Sequence, residues 1–487
     1  MRSQCGALQG IQTMSPVGRV RDVRPTGPMG GFGDSRDFAL TSRAVGEQCC
    51  IGETFKLEAA DFHVMAATDV TAAATVPTLG APLGWWAKFR RFVPFLGPAF
   101  LVSVGYMDPG NWATNIAAGS SFGYTLLWVL LMSNVMALLL QALSAKLGVA
   151  TGMTLARAIR DNTSRRMSLF LWLTAEAAAM ATDLAEFLGA ALGIYILFKV
   201  PLFLAALVTG VLVFFILALH RFGHRAVELA IIILVAIVGF AYVYEVFVAH
   251  PNWPAVGRGI IIPGFADSAA VLVAVGMIGA TVMPHNVFLG SHVVQARRPA
   301  AETPEKKRRL YRFALFDLAL ALNLAFLINC AMVIMSAAAF QGQGVDELQE
   351  AHVTLTLLFG GASAVAFAVA LIAAGLSSSV TGTLAGQSIM EGFIGFRMWL
   401  WARRAITMVP ALVAIYFFGD QAFLILIWSQ VVLSLQLPFT VIPLVWLTSK
   451  RRVMGEFVNK KRVTVAASVV AVVILGFNGY LLWSLMA

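Results

Sequence analysis

The chain has 487 residues, of which 59% are hydrophobic and 12% are charged, and its formal net charge is +10. This apolar excess lies outside the range of water-soluble globular proteins, so lipid is expected to surround much of the chain. Its four cysteines, at positions 5, 49, 50 and 330, are too few and too unevenly spaced for a disulfide framework or a Cys-x-x-Cys zinc site. The composition therefore predicts a membrane protein, and no nucleic-acid partner is expected.

Residues 1–82 are rich in Gly, Pro, Thr and charged residues and contain no apolar run of spanning length. We interpret them as a disordered cytoplasmic tail without a secretory signal. Cys49, Cys50 and His63 are compatible with a metal-capturing tail, but unstructured chain is the favoured interpretation, as is a start codon assigned too early, with Met65 as the start. No function is assigned to this segment.

From residue 94 onward the hydrophobic pattern predicts eleven transmembrane helices. Uncharged stretches such as 125–145 and 365–380 are long enough to cross the ~30 Å of hydrocarbon that about 20 helical residues span. The predicted spans are 94–120, 123–147, 168–198, 200–219, 226–249, 265–295, 311–339, 353–380, 404–419, 421–447 and 463–486.

The distribution of Lys and Arg sets the predicted orientation, because these residues favour cytoplasmic loops. With the N-terminus inside, every Lys and Arg from residue 83 onward falls on the cytoplasmic side except Lys199 and Arg258. The reversed topology would place this excess outside. The N-terminus is therefore predicted to be cytoplasmic and the C-terminus external.

Proline interrupts two predicted spans in mid-membrane. The first span carries Y-M-D-P-G-N at 106–111, and the sixth carries A-T-V-M-P-H-N at 280–286. Because proline lacks a backbone donor, each helix is expected to break, and broken backbone is tolerated in lipid only where it lines a cavity. Breaks at the start of two five-helix halves indicate an inverted-repeat transporter with its substrate at the midplane. The repeats are predicted at 94–249 and 265–447, followed by an additional span at 463–486.

Asp108 places a carboxylate at mid-bilayer, where it should face a cation, a proton or a basic partner. No Lys or Arg lies at comparable depth in any predicted span. Asn111 adds a neutral oxygen to the same break. The alternative interpretation is a protonated Asp108 that only caps the second half-helix.

Met283 would ordinarily be interpreted as core packing, but it lies beside Pro284. A break there exposes the carbonyl of Ala280 and directs a thioether into the cavity that Asp108 lines. Oxygen ligands alone suit magnesium or calcium, whereas an added sulfur favours manganese, iron, cobalt or cadmium. His285 is compatible with a metal ligand, a proton acceptor or a buried imidazole, and we favour proton handling.

The third span carries Glu176, Asp183 and Glu186, whose spacings of seven and three residues place them on one helix face. A proton relay is the default interpretation of such a row in a membrane, and a solvated vestibule is the alternative. Arg403 and Arg404, at the cytoplasmic start of the ninth span, are candidates to pair with Asp183 or Glu176, or reflect only the positive-inside rule.

Three neutral polar side chains lie in the later spans. Gln430 and Gln436 belong to the tenth span, with Gln430 nearer mid-membrane. Asn329 occupies similar depth in the seventh span, where an interhelical hydrogen bond is at least as good an interpretation as a functional role.

Two other classes of function compete with a transporter. A metal-selective channel would use the same ligands but needs no carboxylate relay, so proton flux during metal uptake discriminates the two. An intramembrane metalloprotease would need H-E-x-x-H, which does not occur, and a serine enzyme would need a G-x-S-x-G nucleophile with a partner His. ATP-driven pumping is unsupported because no Walker-type phosphate loop occurs.

At these motifs the sequence resembles the Nramp (natural resistance-associated macrophage protein) family of divalent metal transporters. The resemblance covers about residues 94–486 and rests on D-P-G-N, A-T-V-M-P-H-N, A-T-D-L-A-E-F-L-G in the third span and S-Q-V-V-L-S-L-Q-L-P-F in the tenth. It implies an all-α polytopic LeuT-like fold with 5+5 inverted repeats and broken helices 1 and 6. It also implies a proton-coupled symporter, not an enzyme, that imports manganese, ferrous iron, cadmium and cobalt.

The resemblance further implies the site residues. The metal ligands are Asp108, Asn111, Met283 and the Ala280 carbonyl, joined in some conformations by the Gly105 carbonyl and Gln430. Proton coupling involves Glu186 and His285, and the proton exit is lined by Asp183, Arg403 and Arg404. Relatives that carry magnesium or aluminium depart from the pattern at the position of Met283, whereas this chain keeps methionine.

The number of spans, eleven, resembles that of a bacterial member of the family. So does the lack of an N-x-S/T sequon in the external loops, because the sequon at 162–164 lies on the predicted cytoplasmic side. This implies location in the inner (plasma) membrane. The metal and the proton are expected as transported substrates, without a resident cofactor or an obligate protein partner. The long tail departs from most bacterial members, which puts only its own role in doubt.

Overall fold

The computed structural model describes residues 105–218, 224–295, 303–341 and 361–486, which are almost entirely helical. The predicted tail at 1–82 and the first part of the first span lie outside the described residues. The helices are α1 Pro109–Phe122, α2 Leu127–Thr151, α3 Leu155–Asn162, α4 Arg165–Phe198, α5 Leu202–Ala218, α6 His224–Ala249, α7 Trp253–Ile261, α8 Ser268–Val282, α9 Pro284–Gln295, α10 Pro304–Phe340, α11 Gly361–Ile394, α12 Leu400–Phe418, α13 Ala422–Ser449, α14 Arg451–Met454 and α15 Lys461–Met486.

Most predicted spans coincide with a helix to within a few residues, but the eighth does not end where predicted. The sequence predicts an end at 380, whereas α11 continues to Ile394. The added segment is rich in Gly, Ser and Thr, which are weak helix formers. It is nevertheless largely buried and α11 packs along α4, so tertiary packing overrides local propensity.

The seventh span also begins earlier than the predicted residue 311, because α10 starts at Pro304. Thr303 caps this helix and proline occupies its first turn, which suits a position whose backbone donor has no helical partner. The short helices α3 and α7 lie in segments predicted as loops. Neither is long enough to cross a bilayer, so the hydrophobic pattern does not predict either of them as a span.

Within the described residues, seven helical stretches are long and apolar enough to cross a membrane, and two shorter apolar helices accompany them. One of the seven, Leu400–Ser449, contains both α12 and α13, which a single 3-10 turn separates. The multi-pass membrane architecture is therefore confirmed. The count of eleven spans and the limits of the two repeats remain predictions.

Burial separates the helices at the centre of the bundle from those at its edge. The most apolar window of the broken pair α8 and α9 is 94% buried, whereas that of α15 is 33% buried. Large apolar side chains such as Phe240 and Phe247 are 77% and 75% exposed, as lipid-facing positions require. Since α8 packs on α1, α2 and α13, the two predicted breaks lie in the interior of the bundle.

Candidate metal and proton site

The first break lies at Asp108, which is fully buried and caps α1. A short 3-10 turn, Gly105–Met107, precedes it, and Pro109 occupies the first helical position. Asp108 Oδ1 accepts the backbone N–H of Asn111 at 3.0 Å. The other carboxylate oxygen, Oδ2, has no hydrogen-bond partner among the described residues. Capping therefore occupies one oxygen of Asp108 and leaves the other available.

The second break lies at Met283, between the end of α8 and the start of α9. Met283 has φ 46° and ψ 99°, a backbone conformation that non-glycine residues rarely adopt and that tends to occur at functional sites. In a continuous helix the N–H of residue 284 would bond to the Ala280 carbonyl, but Pro284 has no N–H. The break therefore leaves the Ala280 carbonyl without a helical partner.

Asn111 connects the two breaks. Its Nδ2 donates to Asp108 Oδ1 at 2.6 Å and to the freed Ala280 carbonyl at 3.0 Å. Its own Oδ1 has no hydrogen-bond partner within the part of the chain that the structure describes. The structure thus brings together Asp108, Asn111 and Ala280, which lie as much as 172 positions apart.

Asn286 is a site residue that the sequence reasoning missed. Its Nδ2 donates to Met283 Sδ at 3.2 Å, and the same amide packs directly on Gly105. Asn286 is fully buried, and its Oδ1 has no partner among the described residues. It therefore links the thioether to the peptide that precedes the first break. The available signal was a second amide three residues after Met283, on the half-helix that starts at the break.

Gln430 lies between the two broken helices. Its side-chain amide packs on Gly110 in α1, and its backbone carbonyl packs on Gly279 in α8. Its Nε2 donates to Ser429 Oγ at 3.0 Å, and its Oε1 has no partner in the described ranges. Gln436, by contrast, accepts a hydrogen bond from Thr440 of the same helix at 2.9 Å.

Asn329 supports the first break from α10. Its Nδ2 donates to the backbone carbonyl of Tyr106 at 2.8 Å, and its Oδ1 accepts from Asn115 Nδ2 at 2.8 Å. The Tyr106 hydroxyl in turn accepts from Gln141 Nε2 at 2.8 Å. The interhelical interpretation of Asn329 is therefore confirmed: it satisfies a carbonyl next to the break.

Two buried ion pairs join α4 to α12. Arg404 Nη1 lies 2.9 Å from Asp183 Oδ1, and these side chains are 0% and 5% exposed. Arg403 Nη2 lies 2.6 Å from Glu176 Oε1, with side-chain exposures of 4% and 20%. The predicted pairing between these two helices is present, so Arg403 and Arg404 are more than cytoplasmic charges near a helix start.

Glu186 completes the row on α4 and differs from the other two acids. It is fully buried, and neither carboxylate oxygen has a hydrogen-bond partner among the residues described. Both of its carboxylate oxygens and Asp183 Oδ1 lie close to Gly382 of α11. Exposure rises from Glu186 through Asp183 to Glu176, toward the predicted cytoplasmic end of α4.

His285 connects the second break to α4. Its Nδ1 lies 3.1 Å from Thr182 Oγ1, which also lies 3.1 Å from the carbonyl of Ala178. Because a carbonyl only accepts, the Thr182 hydroxyl donates to Ala178 and accepts from His285. With the Thr182 hydroxyl assigned as the donor to Ala178, the proton of a neutral imidazole is assigned to Nδ1 and Nε2 is the acceptor.

Two other kinds of site are relevant to this region, a resident metal centre and a hydrolase. No group of three or more His, Cys, Asp or Glu side chains in the described residues is arranged to hold a metal. The string G-x-S-x-G does occur at 119–123, but these residues end α1 and do not join a strand to a helix, as a nucleophile elbow requires.

The family described as natural resistance-associated macrophage protein-like matches residues 99–484. The chain belongs to the Nramp family. It is 48% identical over 421 residues to a divalent metal cation transporter MntH of Deinococcus radiodurans, covering 86% of this chain and 95% of that protein. A divalent metal cation transporter MntH of Caldanaerobacter subterraneus is 46% identical over 398 residues, 81% of this chain and 94% of that protein.

Solved structures agree with this assignment. A crystal structure of the Eremococcus coleocola manganese transporter superposes on the Nramp chain with a TM-score of 0.73 at 35% identity, covering 82% of this chain and 88% of that one. The inward-facing conformation of Mhp1 gives a TM-score of 0.54 at 15% identity, which shows the fold alone. The chain is therefore an Nramp metal-ion transporter with a LeuT-type fold and not an enzyme, as the sequence predicts.

Proposed function

We propose that this Nramp chain imports divalent transition metals, manganese and ferrous iron as well as cadmium and cobalt, together with protons. The observation that carries the proposal is the junction of the two breaks, where Asn111 bonds both the Asp108 carboxylate and the Ala280 carbonyl. Met283 and Gln430 border the same junction. The names of the similar transporters, which specify divalent metal cations and manganese, support the same substrate class.

The donor chemistry of the junction favours a transition-metal dication. Asp108 supplies one carboxylate, Ala280 and Gly105 supply carbonyls, and Met283 supplies a polarizable sulfur, a combination softer than an all-oxygen calcium site. Asn111 binds through its oxygen only after its amide turns over, because its Nδ2 now faces both oxygens. Gln430 is placed to add a second amide oxygen when α1 and α8 shift.

The proton path proposed here runs from Asp108 past His285 and Glu186 to Asp183 and then Glu176. A dication at Asp108 favours the ionised carboxylate, so a proton held there passes to a neighbouring group. Increasing exposure along α4 provides a direction for its release. Arg404 and Arg403 stabilise the ionised forms of Asp183 and Glu176 and thereby promote that release.

The same proposal includes location and orientation. The excess of Lys and Arg in alternate loops supports a cytoplasmic N-terminus and an external C-terminus in the inner (plasma) membrane. Metal and proton are then both substrates that move inward, and transport needs no resident cofactor and no obligate protein partner.

Purified protein in liposomes tests the proposal directly. Manganese uptake down a fixed concentration gradient is followed together with internal pH, for the wild type, Glu186→Gln and Asp183→Asn. Asp161→Asn is the matched control, because Asp161 is an acid on the short helix α3 whose side chain is 41% exposed. The wild type and the control should acidify the lumen during uptake, and the two relay variants should lose proton influx more than metal uptake.

Three results would contradict this function. Manganese uptake by the wild type without any proton movement would indicate a metal channel or uniporter. Loss of metal and proton flux in equal proportion in both relay variants would show that Glu186 and Asp183 serve the metal pathway or the fold. Uptake of calcium in preference to manganese would contradict the proposed substrate class.

A further inference from the structure

One face of α11 follows the row of charged groups on α4 and α12. Its residues Ser379, Gly382 and Gly386 are spaced by three and four positions, so they share a helix face. Ser379 Oγ accepts from Arg404 Nη2 at 3.0 Å, and Gly386 packs directly against the guanidinium of Arg403. Gly382 lies between these two contacts.

Gly382 faces the two acids at the centre of the row. A Cβ atom built on Gly382 would lie 2.6 Å from Glu186 Oε2, 3.1 Å from Glu186 Oε1 and 3.1 Å from Asp183 Oδ1. Two different carboxylates therefore converge on the position that a side chain here would fill. Glu186 is fully buried, and both oxygens of its carboxylate lie against Gly382.

The backbone does not require glycine at this position. Gly382 lies within the regular helix α11, and its φ is not among the positive values of the described chain. Glycine inside a helix is destabilising relative to alanine. Glycine at this position is therefore explained by the space that a side chain would fill. The carboxylates of Glu186 and Asp183 border that space.

We infer that Gly382 is a positioning residue for proton transfer, because its missing side chain lets the carboxylates of Glu186 and Asp183 approach each other. This inference rests on the proposed relay. The O–H bond of protonated Glu186 breaks and an O–H bond forms on the Asp183 carboxylate, which leaves Glu186 ionised and ready for a proton from the Asp108 side. Arg404 Nη1 donates to Asp183 Oδ1 at 2.9 Å, which fixes the acceptor of the transfer.

Three glycines of α11 allow a matched test by alanine substitution. In Gly382→Ala the three atoms nearest the new methyl group are side-chain carboxylate oxygens of Glu186 and Asp183 and not backbone atoms, so the protein should fold. In Gly361→Ala the methyl group meets no atom of the described residues within 4 Å, which makes this variant the neutral control. In Gly375→Ala it meets Ala190 N and Glu186 O at 2.7 Å, both backbone atoms of α4, so this variant reports what a packing defect does.

The measurement is the number of protons that enter liposomes per manganese ion, alongside the thermal midpoint of each purified variant in detergent. Gly382→Ala should lower the proton-to-metal ratio by roughly tenfold, since a displacement of 1 Å between reacting groups can cost about 10²-fold and the shift here is smaller. Its thermal midpoint should stay close to that of Gly361→Ala. Gly375→Ala should lower the midpoint, which sets the scale of a packing defect between α11 and α4.

Glu186→Gln, measured in parallel, separates failure of the inference from failure of the relay. If Glu186→Gln lowers the ratio but Gly382→Ala matches Gly361→Ala, the positioning role is wrong and the relay stands. If Glu186→Gln leaves the ratio unchanged, the relay and the inference that rests on it are both wrong. A Gly382→Ala protein that loses stability as Gly375→Ala does would also overturn the inference, since packing would then explain the glycine.

Discussion

Replacing Met283 with alanine tests whether sulfur sets the metal preference. Met283 is fully buried, and its Sδ accepts the Asn286 amide at 3.2 Å. Truncation of a buried methionine costs about 2–5 kcal/mol, and an amide left without a partner costs a further ~1–3 kcal/mol. The variant should therefore be less stable but still transport manganese in part. Without sulfur the site holds only oxygen ligands, so calcium and magnesium should become competitors.

Met332→Ala is the matched control for this change. Met332 is also fully buried, and its Sδ accepts an amide N–H, from Asn115, at 3.6 Å. Both variants should lose similar stability, but only Met283→Ala should lower cadmium uptake relative to manganese. The loss should be at least about tenfold, because removing even an outer-shell partner of a metal costs 10–100-fold in affinity.

Competition assays in proteoliposomes provide the comparison, with manganese as tracer and cadmium, calcium or magnesium as competitor. Met283→Leu, which keeps most of the volume, separates sulfur from size. If calcium still fails to compete in both Met283 variants, the preference comes from cavity geometry and the argument from ligand softness is wrong. If Met332→Ala changes the preference equally, the effect is not local to the break.

Two further predictions concern the polar groups that hold the site in place. Arg404→Gln should lower the free energy of unfolding by about 3–5 kcal/mol, because it leaves Asp183 as an uncompensated buried charge. Adding Asp183→Asn should recover part of that loss in thermal melts, and an equal loss in the single and double variants would contradict the pairing. Asn329→Ala should cost ~1–3 kcal/mol by leaving the Tyr106 carbonyl without its donor, whereas Asn323→Ala should cost less, because this exposed side chain accepts one longer interhelical bond, from Asn134 at 3.2 Å. A smaller loss for Asn329→Ala than for Asn323→Ala would refute the supporting role.

The sequence predicts the parts of this site that break a local rule. A proline in an apolar span identifies which carbonyl loses its donor, so Pro284 indicates Ala280 through the order of residues alone. An acidic residue inside an apolar span is energetically costly, so each one indicates a functional position by itself. The spacing of Asp183 and Glu186 then places them on one helix face. The helical spans follow from the hydrophobic pattern in the same way.

Other features depend on contacts between distant segments and leave no local signal. Asn286 and Asn329 are ordinary amides in the sequence, and only the packed helices show that they bond Met283 and the Tyr106 carbonyl. Gly382 is one small residue in a run of small residues. The sequence predicts the end of α11 too early, because burial against α4 stabilises a segment whose own helix propensity is weak.

Manganese uptake by Asp108→Asn and Asp108→Ala tests the central claim most directly. Asparagine is as good an N-cap as aspartate, so Asp108→Asn preserves the start of α1 while removing the only carboxylate that the described residues place at the junction. Both variants should insert into the membrane, since removing an intramembrane charge eases insertion, and both should abolish uptake. Uptake retained by Asp108→Asn but lost by Asp108→Ala would show that Asp108 acts only as a helix cap. Uptake retained by both would contradict the binding site.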